Sequence, residues 1–542
     1  MASETGSEYV LEALAAEGVE TLFGVIGEGN AHFLDATNDA DLPFRQARHE
    51  QAAVSMADGY ARTTGDVGVC TLTHGPGVTN GATGIAAADR DDVPLVVLVG
   101  DTSAAGRETS LQYLDHRTFS APISVYASRI ERTETIPEIL SRAFDRARTR
   151  SGPVVVELPT DVQAGEPPEA DYRPVVRASQ RPRPDGALLA EAVDLLEAAD
   201  APVVLAGGGA NRSDAGDALA ELAGRLGAPI ATTYFGRGVL ADAHPMVSGI
   251  AGTFMTPAND ELLWDADVVV AAGARLSGKA TRYGKLYADA DVIQIDTDAE
   301  SVGIHREPAV GLVADARETL AALAERVEPN PDRADRVAET IAAAPAPWAD
   351  GFEDRDGEID PRELTVELSR IVTDDAIVAV DSGNNTGFPA VFHEIGADGR
   401  ILVNGNFGTM GYALPAALGA AEAAPDRPVV CYTGDGAALQ VIQELETGVR
   451  LGSPTVVAIL NDRSYGIIRH RQRLEFGRET ASSYEGPAFV AVAEGLGARG
   501  ELIRSAEDLS VVEEYLESEP SVPLVLDVRT IPEVSRPGFP PY

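Results

Sequence analysis

Asp435 and Asn461 have the types and the spacing of two oxygen ligands for a divalent cation held against phosphate. The segment from Gly434 to Asp462 reads GDGAALQVIQELETGVRLGSPTVVAILND. Ahead of it, Pro428 to Thr433 is a short β-rich run. Leu439, Ile442, Leu445 and Val449 then recur at helical spacing, and a second apolar run, Thr455 to Leu460, stops at Asn461 and Asp462. The pattern predicts a strand, helix, strand unit with a right-handed crossover and parallel strands. Asp435 and Asn461 then project beyond the carboxyl ends of neighbouring strands, the crevice where open α/β sheets bind ligands. Mg²⁺ takes near-octahedral oxygen ligation from a few protein groups, phosphate oxygens and water. Asp435, the Asn461 amide oxygen and a backbone carbonyl at Arg463 suit one side of that shell. Gly434 and Gly436 let the backbone approach phosphates closely, and the helix N-terminus favours an anion. Gly-Asp-Gly is also an ordinary turn; the asparagine 26 residues on, at the end of the next strand, favours the metal-diphosphate reading.

This pattern resembles the signature of thiamine diphosphate (ThDP) enzymes, with Asp462 where the family has a second asparagine. Order and spacing agree over nearly the whole chain, and the resemblance is greatest to the large subunit of acetolactate synthases and related 2-oxo acid enzymes. It implies ThDP and Mg²⁺ as cofactors, with the cofactor supplying the carbanion chemistry and the protein supplying protonation and shape. Arg48-His49-Glu50-Gln51-Ala52-Ala53, followed by Gly59-Tyr60-Ala61-Arg62, resembles the segment whose glutamate faces the aminopyrimidine ring, which makes Glu50 the activating carboxylate. Taken alone, a glutamate in a first helical turn only suits the helix dipole. Thr73-His74-Gly75-Pro76-Gly77-Val78-Thr79-Asn80 resembles the turn beside the pyrimidine, so Gly75, Pro76, Gly77 and Asn80 are expected at the cofactor. His74 replaces the usual serine there, as a proton shuttle or as a hydrogen-bonded turn residue. Asn406 to Tyr412, with Gly408 and Met410, matches the segment whose apolar residue holds the cofactor bent; a methionine is otherwise a core residue by default. Gly383, Asn384 and Asn385 are expected to hold the diphosphate from the opposite side, and Tyr465, Gly466 and Ile467 to lie against the cofactor.

Several positions depart from the family. Ala437 stands where many relatives have serine, so that phosphate contact falls to backbone. The segment Phe23 to Asn30 carries Ile26-Gly27 in place of Pro-Gly, with Gly27 at the cofactor and the Glu28 carboxylate toward the substrate. Where acetolactate synthases select their second 2-oxo acid, the family phenylalanine is Leu111, with Gln112 kept; the tryptophan is Arg471; and the arginine of the central domain is Lys279. Gln112, Leu111, Lys279 and Arg471 are therefore the substrate candidates. Arg275, Lys279, Arg282 and Lys285 also recur at roughly helical spacing, as an anion site for a substrate carboxylate or flavin phosphate, or as a solvated face balancing acidic neighbours.

The elements that must position these residues fit 542 residues divided among three or so domains. The fold class expected is α/β, three doubly wound parallel-sheet domains: 1–165 (pyrimidine), 186–328 (central, with FAD as a further cofactor) and 361–542 (diphosphate). The proline-bearing stretches 166–185 and 329–360 read as linkers. A formal charge of −42 argues against nucleic acid or an anionic membrane surface as partner. Of 43 basic residues only Lys279 and Lys285 are lysines, a composition suited to a high-salt, halophilic cytoplasm where self-repulsion is screened. Cys70 and Cys431 read as buried thiols rather than a disulfide. The N-terminus has no basic or apolar targeting pattern and no run reaches about 18 apolar residues, so a cytoplasmic location is expected.

The reaction expected from the resemblance is decarboxylation of pyruvate and carboligation to a second 2-oxo acid, as in branched-chain amino acid biosynthesis. The alternatives are a simple 2-oxo acid decarboxylase and a flavin-dependent 2-oxo acid oxidase. The family implies a homodimer or homotetramer, with a regulatory small subunit as a further partner.

Overall fold

A computed structural model describes residues 4–175 and 181–540; residues 176–180 of the first expected linker lie outside the described residues. Three six-stranded sheets carry the chain, and every strand pair is parallel. The first runs Phe44–Gln46, Leu22–Gly24, Gly68–Leu72, Leu95–Asp101, Pro153–Pro159, Tyr126–Arg129 across its width. The third runs Arg400–Val403, Ile377–Val380, Val429–Gly434, Thr455–Asn461, Leu524–Arg529, Arg499–Ile503. Counted within each sheet, both have the order 2-1-3-4-6-5. The middle sheet, Val310–Val313, Asp291–Asp296, Val268–Ala272, Pro202–Ala206, Ile230–Thr232, Val247–Ile250, has the order 6-5-4-1-2-3, that of dinucleotide-binding folds.

Helices cover both faces of each sheet, so the inner strands are apolar throughout, as parallel sheets require; Leu95 to Val99 and Val456 to Ile459 are essentially inaccessible. Cys70 and Cys431 are free and buried in such strands. Desolvation pushes both thiols up, so they act as small apolar residues.

The first and third sheets are joined by two helices. Glu50–Thr64 is capped by the His49 side chain, which accepts from the Gln51 N–H, and it ends at Gly65 in the left-handed conformation (φ 77°). It crosses Ala413–Ala423 so closely that a Cβ on Gly59 would sit 2.1 Å from the Ala416 carbonyl oxygen, and one on Gly419 would sit 1.9 Å from that of Met56. A buried polar lock lies alongside. The Tyr412 hydroxyl donates to Asp58 at 2.6 Å, and Arg62 bridges Asp58 (2.7 Å) and Asp91 (3.1 Å). Breaking one member would strand a charge, the costly way to disturb a buried pair.

Three local expectations are corrected. The helix expected after Gly436 is two helices, Asp435–Val441 and Glu444–Leu451, and Leu439 is exposed rather than on the apolar face. The cationic stripe from Arg275 to Lys285 is not helical. Gly273 and Gly284, together with Leu276, Arg282 and Tyr283, have positive φ, so the segment is a series of turns that spreads the side chains. Arg275 reaches Asp92 at 3.1 Å, and Arg282 stacks over Trp264 near Asp260. Within 329–360, Pro331–Ala343 is a helix capped by Asn330. Pro331 at its first position and the buried Val337 dock it on the central domain, where Arg333 donates to the Leu226 and Ala199 carbonyls.

Candidate active site

The strand Val429–Gly434 pairs with Thr455–Asn461 in a register that sets Gly434 opposite Leu460, so Asp435 and Asn461 are each the next residue along and lie side by side. Both are buried. Asp435 Oδ1 accepts from the Gly436 N–H at 2.9 Å, and its Oδ2 has no partner among the described residues. Asn461 Nδ2 donates to Asp527 at 2.7 Å, which turns the amide so that Oδ1 is the free end, again without a partner. Two adjacent, buried, unpartnered oxygens are costly in a finished interior. Burial and the neighbouring Asp462 push the Asp435 carboxyl up to about 7, and burial pushes Asp462 up to about 6. A cation bound there would reverse both shifts, because it stabilises the ionised form. Arg463 follows with φ 57°, and its carbonyl accepts from the Tyr484 N–H at 3.0 Å with one lone pair to spare. The donor set of carboxylate, amide oxygen and carbonyl fits Mg²⁺.

Asp435 opens on a cavity of about 240 Å³. Gly383, Asn384, Asn385, Gly408, Met410, Gly434, Gly436, Ala437, Tyr465, Gly466 and Ile467 line it with Asp435. Gly436 cannot carry a side chain, since a Cβ would lie 2.7 Å from the Tyr465 ring. Asp381, at the end of its strand, accepts from the N–H groups of Ser382, Gly411 and Ala413 and from the Thr433 hydroxyl. It thereby fixes the loop that presents Met410.

A second cluster lies in the N-terminal domain. Glu50 opens its helix and accepts from Asn80 Nδ2 at 3.0 Å; a Cβ on Gly77 would stand 3.7 Å from Glu50 Oε1, so glycine leaves that flank of the carboxylate uncrowded. Pro76 starts the next helix, Pro76–Arg90. Gly75 has φ 58°, and a Cβ there would strike the Gln112 carbonyl oxygen at 2.3 Å. Gly27 packs on Thr73 with equally little room. His74 is buried behind Gly29, and its Nδ1 has no partner among the described residues. Leu111 is fully exposed, and so is most of Glu28.

Every residue lining the cavity lies between Pro361 and Val534, so Glu50, His74 and Gln112 are not on its wall. The clusters are tied by flanking contacts: the Arg48 N–H donates to the buried Glu444 carboxylate at 3.1 Å, and Gln51 Nε2 donates to the Met410 carbonyl at 3.3 Å. Lys279 donates to the Gly405 carbonyl at 3.2 Å, and Arg471 faces Glu475 on its own helix at 3.8 Å.

The sequence reading missed His116. Its Nε2 accepts from the Gly75 N–H at 2.9 Å, which puts its proton on Nδ1, 3.9 Å from Glu157 Oε1. Arg129 binds both Glu157 and Asp101 beside it. Burial holds His116 down at about 4, against the pull of Asp101, with His74, Arg107 and Arg129 also lowering it. Only tertiary structure joins His116 to a turn 41 residues earlier, and no local pattern marks it.

Three family models match the chain: the thiamine pyrophosphate enzyme N-terminal TPP binding domain over residues 4–121, the central domain over 189–323 and the C-terminal TPP binding domain over 381–528. The probable acetolactate synthase large subunit of Methanocaldococcus jannaschii is 34% identical over 99% of this chain and 93% of its own. The acetolactate synthase isozyme 3 large subunit of Escherichia coli is 34% identical over 95% and 92%. The sulfoacetaldehyde acetyltransferase of Alcaligenes xylosoxydans is 32% identical over 93% and 89%. With the cofactor domains matched in order and the relatives covered almost end to end, the chain belongs to the thiamine pyrophosphate enzymes and is an acetolactate synthase-like member of that family.

Proposed function

We propose that the protein is a Mg²⁺- and ThDP-dependent carboligase that decarboxylates pyruvate and joins the remaining two-carbon unit to a second 2-oxo acid, the reaction that opens branched-chain amino acid biosynthesis. The observation that carries this reading is the pair of unpartnered buried oxygens, Asp435 Oδ2 and Asn461 Oδ1, the first of them on a residue that lines a cavity together with several glycines and Met410. Asp435, Asn461 and the Arg463 carbonyl would hold the metal, Gly383 to Asn385 and Gly434 to Ala437 the diphosphate, and Met410 the bend of the cofactor. When bound, ThDP supplies the carbanion equivalent that attacks a carbonyl.

The chain's own part is protonation, orientation and exclusion of water. Glu50, oriented by Asn80, exchanges a proton with the aminopyrimidine. Gln112, backed by the Gly75 turn, orients the substrate. In the overall reaction the bond from pyruvate C2 to its carboxyl breaks and CO₂ leaves. A bond from C2 to the acceptor's carbonyl carbon forms, and the acceptor oxygen takes up a proton. Because the cavity wall comes from the C-terminal domain alone, a second copy of the chain would bring its Glu50 to the cofactor, and a homodimer is the smallest active unit. The strand order of the central sheet also suits a flavin nucleotide, which the visible absorption spectrum of the purified protein tests.

Product analysis by NMR with pyruvate, ThDP and Mg²⁺ tests the reading. Acetolactate is expected, and acetaldehyde as the sole product would refute carboligation. Glu50→Gln should lower kcat by roughly 10²–10⁴-fold, the range for loss of a positioned acid-base group.

A further inference from the structure

Arg536 stands out in a chain with 85 acidic and 43 basic residues. The buried arginines Arg62 and Arg129 sit against carboxylates; Arg536, half-buried, has none among the groups acting on it. Its guanidinium lies over the Phe254 ring at 5.2 Å, and its Nε is buried without a hydrogen-bond partner among the described residues. Its charged neighbours are of its own sign: Lys279 and Arg471 both lie near enough to oppose it. The Tyr283 and Tyr234 phenols are its remaining polar surroundings. Burial, with this repulsion, lowers both Arg536 and Lys279 from their ordinary values, against the pull of Tyr283 on Arg536 and of Asp91 on Lys279. A half-buried guanidinium with like charges beside it and no carboxylate among the groups acting on it costs stability and is characteristic of sites that bind an anion.

Each cation hangs on a segment that runs into the cavity wall. The Arg536 N–H donates to Asn384 Oδ1 at 2.9 Å, and Asn384 Nδ2 donates to the Val534 carbonyl at 3.0 Å; both residues line the cavity. Lys279 is held by Gly405, three residues before the lining Gly408, and Arg471 lies one helical turn beyond the lining Ile467. The donor's carboxylate must leave as CO₂. Cations bound to it would stabilise the reactant more than the transition state, in which its charge is dispersing, and would slow the step. The cluster therefore suits an anionic group that is retained.

We infer that Arg536, with Lys279 and Arg471, holds the carboxylate of the acceptor, making the C-terminal segment a determinant of specificity for anionic over uncharged acceptors. This rests on the proposed carboligation. The matched acceptors 2-oxobutyrate and propanal differ by that carboxylate. With the holoenzyme and pyruvate, competition between them is read by NMR as the ratio of the two ligation products. In Arg536→Gln the ratio should shift at least tenfold toward the propanal product, and Arg536→Lys should recover most of it. Because both products come from the same active molecules, a loss of folded protein leaves the ratio unmoved. A ratio within twofold of wild type in Arg536→Gln overturns the assignment. Titration calorimetry with oxamate, an unreactive carboxylate, reads the same site without turnover: tenfold weaker binding in Arg536→Gln is expected, and equal affinity overturns it. Wild-type enzyme that yields neither product instead refutes carboligation itself, and the acceptor role with it.

Discussion

At the scale of single residues, the candidate site divides into groups marked by motif and groups marked only by contact. Asp435 and Asn461 were legible because two short strands end at them, and the structure leaves their outward oxygens unpaired. His116 and Arg536 were not legible, since a lone histidine and a lone arginine near a chain end carry no signal until the turn and the cavity are beside them. His116 makes a pH prediction. Its folded value, about 4, lies below the ordinary 6.5, so between these values the unfolded chain binds the proton and the folded chain does not. Its contribution to stability is complete above about pH 6.5 and is lost as pH falls, by at most about 1.4 kcal/mol per unit. His116→Gln keeps an acceptor for the Gly75 N–H and has no titration. Urea unfolding of both proteins at pH 7.5 and 5 should show the wild type losing more stability than the variant as pH falls; parallel losses would contradict the assignment.

At the scale of elements, the crossing of Glu50–Thr64 with Ala413–Ala423 orients the start of the Glu50 helix against the Met410 loop. A methyl group at position 419 would meet the Met56 carbonyl at 1.9 Å, and neither backbone can yield without shifting its helix. Gly419→Ala should therefore destabilise by roughly 1–3 kcal/mol, the range for overpacking, despite alanine's better helix propensity. Thermal unfolding would detect this, and an unchanged midpoint would mean that the helices separate easily. Apolar runs marked the strands well, because strands buried on both faces have little freedom of composition. The helix after Asp435 was misjudged because four apolar residues at helical spacing cannot reveal a break at Ile442 and Gln443. The turns around Lys279 were misjudged for a related reason: spacing is necessary for a helix, but positive φ at three non-glycine residues overrides it.

At the scale of the whole molecule, the first and third sheets share one strand order, and each offers its cluster at the carboxyl edge of that sheet. If the working site takes one cluster from each of two copies, Glu50→Gln and Asp435→Ala subunits, each inactive, should complement on mixing. Random dimers would regain about a quarter of wild-type activity, measured as acetolactate formation, and no recovery after subunit exchange would show that one chain supplies both. The charge of −42 sets a second expectation. Raising KCl from about 0.1 to 1 M shortens the screening length from about 10 to 3 Å, so the unfolding midpoint should climb steeply over that range, and a flat response would separate composition from stability.

The scarcity of lysine gives the cation cluster a practical consequence. Amine-selective acylating reagents act on the unprotonated amine, and Lys279, solvent-accessible yet lowered by desolvation of its charge and by Arg536, has more of that form near neutral pH than an ordinary lysine. With Lys285 as the one other side-chain amine, the protein comes close to a natural single-site substrate for covalent labelling. A reporter dye attached there would sit beside the Gly405 carbonyl and near Arg536, and protection from acylation would measure what binds that cation cluster.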